Sequence, residues 1–171
     1  AKKSFALREF ETGLIAVAAD SFYRLIINGK WVNDGPARYW PEHARYDEID
    51  IAAYLQKGDN TVEIIARYYG IGDFHRIFKH PGLLAQIEID TGSGTKTIRT
   101  DRTWQVAEAK QWHRNTPKIS VQNEPAELYD AQMGKPLRFT PARELFDIND
   151  APWQDLQPRD VAQIKKKPMN F

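Results

Sequence analysis

Aromatic rings next to guanidinium and amide groups recur at three places in this chain, and each pairing suits recognition of a polyhydroxylated ligand. A sugar presents apolar C–H faces fringed by hydroxyls, so its binding site needs a flat ring beside bidentate hydrogen-bonding groups. The first cluster, Arg38, Tyr39, Trp40 and His43, follows Asn33-Asp34-Gly35-Pro36. The second lies in YYGIGDFHRIFKH, where Gly70 and Gly72 permit a sharp bend ahead of Asp73, His75 and Arg76. The third is the run Gln111-Trp112-His113-Arg114-Asn115. Each has a plain structural competitor: the rings pack a sheet edge, close the core, or rest on a neighbouring domain.

Other chemistries find less support. Glycoside hydrolysis needs two carboxylates at roughly 5–10 Å. Alternation on a strand over 45–50 puts Glu48 and Asp50 on one face and Asp47 on the other. Glu124, Glu127 and Asp130 flank a second segment. Solvated strand charge is the ordinary state of such residues, and neither group reads as a catalytic pair. The histidines (His43, His75, His80, His113) lack HxxxH or HxH spacing, so zinc would need assembly in three dimensions. Calcium favours loop carboxylates and carbonyls, and Asn33 with Asp34, or the turn at 57–60, could contribute ligands. No phosphate loop, Ser-His-Asp order or dinucleotide fingerprint is present.

The elements that must position these groups are short and β-like. Alternation over 22–27 runs into Asn28-Gly29, a strong hairpin signal. Strands are expected over 4–9, 14–19, 22–27, 45–50, 60–69, 83–90, 96–100, 104–109, 118–121 and 127–131. Turns at 28–29, 57–60, 91–94 and 123–125 separate them, and a helical turn over 51–55 is capped by Asp50. Many short strands with Gly/Asn/Asp turns predict an all-β antiparallel sandwich or jelly roll, galactose-binding-like in type, over residues 1–133. From 134 to 171 prolines interrupt every period, which predicts an extended strap or linker toward a further domain, with Trp153, Leu156 and Val161 as its anchors.

Composition narrows the classes. The 171 residues suffice for one core. A net charge of +1 gives no bulk attraction to nucleic acid or anionic lipid. No run reaches the roughly 18 apolar residues of a membrane span, and AKKSFALREF lacks the apolar core of a signal peptide. The absence of cysteine removes disulfides, thiolate zinc sites and a thiol nucleophile, without fixing the compartment.

Six segments in order, YRLIINGKWVNDGPAR, YDEIDIAAYLQKGDNTVEIIA, GLLAQIEID, TDRTWQVAE, ISVQNEPAELYDAQ and PWQDLQPRDV, resemble the N-terminal β-sandwich domain of bacterial α-L-rhamnosidases. The resemblance implies a non-catalytic accessory domain of a glycoside hydrolase, whose helical catalytic barrel is a downstream part of the same polypeptide. It carries no catalytic residue onto this chain. It implies either weak binding of a rhamnose-containing glycan or bracing of the barrel, and it favours periplasmic or secreted localisation. Related sandwiches often hold calcium, so calcium is the one cofactor it suggests. A purely structural module and a stand-alone carbohydrate-binding protein are the rival readings.

Overall fold

A computed structural model describes residues 1–74, 77, 80–133, 136–150, 153 and 155–163. Two sheets face each other. The first has the order β10-β9-β1-β6-β3-β4, the second β11-β5-β2-β7-β8. The strands are β1 (Lys2–Leu7), β2 (Thr12–Ala19), β3 (Phe22–Ile27), β4 (Lys30–Gly35), β5 (Arg45–Asp50), β6 (Gly58–Arg67), β7 (Leu83–Asp90), β8 (Thr95–Arg99), β9 (Gln105–Val106), β10 (Thr140–Pro141) and β11 (Gln157–Pro158). All pairings are antiparallel except β11 on β5, which is parallel.

Period-2 alternation generates the core directly. Tyr23, Leu25 and Ile27 of β3 and Val62 and Ile64 of β6 face Ile15 and Val17 of β2 and Ile87 and Ile89 of β7, all fully buried. Burial of each such side chain contributes about 1.5–3 kcal/mol. Trp104 closes one side, buried, with its indole N–H donating to the Arg99 carbonyl at 2.9 Å.

The Asn28-Gly29 hairpin forms as expected, with φ of 50° and 75°. Two successive positive values are the signature of a type I′ turn, whose twist matches the flanking strands. Asn28 also accepts from the Thr61 amide and donates to Asn60, both at 2.9 Å, so it ties its own turn to the one at 57–60. The expected helical turn is a 3-10 turn, Ala52–Tyr54, and Asp50 accepts from the Ala52 amide at 2.9 Å.

Four segments differ from the sequence expectation. Residues 33–35, outside every expected strand, end strand β4. Residues 118–121 and 127–131 form no strand; only a single bridge joins Trp112 to Tyr129. The proline-rich strap supplies the short strands β10 and β11, one to each sheet. Of its expected anchors Trp153 is buried and Leu156 half-buried, but Val161 is 57% exposed.

Candidate functional site

The β2–β3 turn brings the first two loops together. The Tyr39 hydroxyl donates to the carbonyls of Ala19 and Asp20, at 3.2 and 3.4 Å. The Ser21 hydroxyl donates to Asp20 at 2.6 Å and accepts from the Tyr69 amide at 3.2 Å. Residues 36–44 and 68–70 are therefore fastened to one end of the sandwich through the same turn. Trp40 is 60% exposed there, beside exposed Arg38 and His43. Asp73 is half-buried further along the second loop, while His75 and Arg76 lie outside the described residues. Trp112 sits elsewhere, half-buried and edge-on to Tyr129 with centroids 4.7 Å apart.

Asn33 and Asp34 leave opposite faces of β4, as strand alternation requires. Asn33 is buried and donates to the Tyr23 hydroxyl at 3.0 Å. Asp34 accepts from Arg24 and from the Trp31 indole, each at 2.9 Å. The two do not converge on one point, so together they do not form a calcium site. Among the described residues no group of three or more His, Asp or Glu side chains could hold a metal ion.

The carboxylates divide between faces as the alternation predicts, but only Glu48 and Asp50 are solvated as expected; Asp47 is fully buried. Asp47 accepts from the Tyr23 hydroxyl across the sandwich. Its other oxygen lies 2.7 Å from Arg159 Nε, which the strap brings in after β11. Burial pushes the Asp47 carboxyl up from its ordinary value, and Tyr23 and Arg159 pull it partly back. Burial and Asp47 together push the Tyr23 phenol up. Asp47 is fully buried and Arg159 nearly so, and the group ties the two sheets and the strap together. Its signal in the sequence was Asp47 at inward parity with Ile49, since an inward carboxylate must find partners.

A different surface is built by residues 68–74 and 118–133, an annex outside the sandwich. The Phe74 amide donates to the Val121 carbonyl at 2.8 Å, and Lys118 donates to the Gly72 carbonyl at 2.9 Å. Arg67 donates to the carbonyls of Pro125 and Ala126, both at 3.1 Å, and pairs with Glu127 at 3.3 Å. These bonds hold the backbone but leave large apolar side chains in water. Phe74 is 72% exposed, Ile119 89% and Val121 63%, with Ile71, Leu128 and Tyr129 also exposed.

The chain is an all-β sandwich with a cross-core polar lock, an apolar annex and an integrated strap. The chain belongs to the α-L-rhamnosidase N-terminal domain family, whose model matches residues 9–161. A GH78 family rhamnosidase of Bacillus sp. GL1 is similar at 30% identity over 95% of this chain, with a TM-score of 0.81; the chain spans 18% of that enzyme. The native α-L-rhamnosidase of Aspergillus terreus is similar in fold at 15% identity and TM-score 0.62, over 91% of this chain and 19% of its own. A lectin from Pleurotus ostreatus, in complex with GalNAc, shares the fold at 21% identity and TM-score 0.56, over 90% of this chain and 38% of its own. Among curated proteins none matches.

Proposed function

We propose that this chain is a non-catalytic accessory domain of an α-L-rhamnosidase-like glycoside hydrolase, and that its annex braces the remainder of that polypeptide. The exposed apolar side chains of the annex carry this reading. Soluble monomers rarely leave contiguous patches larger than a few hundred Å² uncovered, and such patches mark docking surfaces. The occupant is the rest of the parent chain, because the domain spans under a fifth of the Bacillus rhamnosidase it resembles. Asp47, the described carboxylate that burial pushes up, lies inside the core, which speaks against its use in catalysis.

The test replaces Ile119 and Val121 together by serine, in the isolated chain and in the parent polypeptide. The isolated chain should melt as before, since both side chains already stand in water. The parent should lose stability of the whole, by about 2–4 kcal/mol for two side chains removed from an interface. Equal behaviour in the two settings would refute the bracing role.

A second reading, glycan binding at the loop end, is favoured by the exposure of Trp40 beside Arg38 and His43. It requires saturable binding of L-rhamnose, with or without calcium, that is lost in Trp40→Ala.

A further inference from the structure

The outer face of the second sheet carries a cleft of about 1000 Å³ that neither the annex nor the loop end uses. It follows from side-chain size along three adjacent strands. Of the outward positions of β2, Ala16 and Ala18 are small and Leu14 closes one end, whereas β5 presents Tyr46 and Glu48 and β7 presents Leu84, Gln86 and Glu88. Register places Ala16 directly between Glu48 and Gln86, and Gln86 opposite Arg99 of β8. The result is a trough along β2 whose walls stand two strand spacings apart, about 10 Å. The strap closes it from above with Glu144, Phe146 and Asp147.

We infer that this trough binds a neutral oligosaccharide. Its polar groups are already organised: Arg99 donates to Gln86 at 3.0 Å and Gln86 donates to Glu88 at 2.6 Å. Such a row offers acceptors and donors to hydroxyl groups at little ordering cost. Phe146 is held edge-on against buried Trp153, with centroids 5.6 Å apart, and with Tyr46 supplies ring surface for C–H faces. Among the described lining residues carboxylates outnumber the one cation, Arg99, so an anionic glycan is repelled.

A basic peptide fits less well. Arg99 stands in the central row, and Glu144 is already engaged by Arg102 at 3.3 Å. The floor is an interior strand, paired on both sides by β5 and β7, so a peptide finds no open edge for main-chain bonds. The inference is independent of the docking role of the annex, and failure of one leaves the other standing.

The test is ligand-observed NMR on the chain with xylotriose, cellotriose, a rhamnose-terminated trisaccharide, trigalacturonic acid and oligolysine. At least one neutral trisaccharide should give a saturable response, stronger than that of trigalacturonic acid. Ala16→Phe, which fills the trough, should abolish it, and Gln86→Ala should weaken it about fivefold. Gln86→Ala removes a half-buried side chain with its bonds to Arg99 and Glu88 and leaves the core untouched, so it reports even where Ala16→Phe perturbs folding; circular dichroism checks both. Trp40→Ala should leave binding unchanged. No response to any neutral sugar, a response to oligolysine alone, or loss in Trp40→Ala with retention in the trough variants would each overturn the assignment.

Discussion

Arg159→Met should unfold the strap's hold on the core at a cost that can be worked from the ion pair. Arg159 Nε stands 2.7 Å from Asp47, whose side chain is fully buried while that of Arg159 is 13% exposed. Removing one partner of a buried pair typically costs about 3–5 kcal/mol, because the remaining charge is left uncompensated. Tyr23 still donates to Asp47 in the variant, and the carboxyl can take up a proton, so the low end, about 3 kcal/mol, is expected. For a chain of this size that is a fall of roughly 6–12 °C in melting temperature. The assay is urea and thermal unfolding at pH 7, with Arg159→Met/Asp47→Asn alongside. The double variant should recover most of the loss, since a neutral amide needs no counter-ion. A cost below about 1 kcal/mol in the single variant, or no recovery in the double, would refute the claim that this pair clamps the strap.

Three further outcomes follow from the same geometry. Because burial raises the Asp47 carboxyl above its ordinary 3.8, the folded state binds that proton more tightly than the unfolded chain. Wild type should therefore gain stability relative to Asp47→Asn as pH falls from 7 toward 4, read by urea midpoints; a relative loss would mean that Arg159 dominates and the carboxyl lies low. Gly35→Ala should destabilise by about 1–3 kcal/mol, since a Cβ there would meet the Asp47 carboxylate and stand 2.6 Å from the Tyr23 ring; an unchanged melting curve would contradict the close packing of β4 on this lock. Trp40→Ala should change stability by less than about 0.5 kcal/mol, as expected for a side chain 60% exposed; a large loss in thermal melts would show Trp40 to be structural.

Where one residue type at one parity decided the outcome, the sequence was readable. The expected strand bounds 22–27, 45–50 and 83–90 match β3, β5 and β7, short β-rich runs along which burial alternates. Alternation set Asp47 apart from Glu48 and Asp50, but the solvated state expected of it was wrong, and its partner Arg159 was not legible either. That residue reaches the core from 112 positions away through a parallel pairing that no local period encodes. Strand β4 was hidden by its composition. Asn33-Asp34-Gly35 has the chemistry of a turn, yet Asn33 satisfies Tyr23, Asp34 binds Arg24, and Gly35 makes room for Asp47. The opposite error arose at 118–121, where Ile119 and Val121 have strand propensity but no partner strand and face solvent. Their exposure makes sense once they are read as a surface to be covered. Of the sugar-recognition clusters, the meeting of the first two loops at the β2–β3 turn depends on hydrogen bonds from Tyr39 and to Tyr69 that spacing alone cannot disclose. The trough along β2 needed the register of three strands, which fixes Ala16 between Glu48 and Gln86.

The most direct test of the bracing account is hydrogen–deuterium exchange on the isolated chain and on the parent polypeptide. Amides over 68–74 and 118–133 should exchange faster in the isolated chain and become protected in the parent, while those of β2 and β7 stay protected in both. Identical exchange of the annex in the two settings would contradict the account.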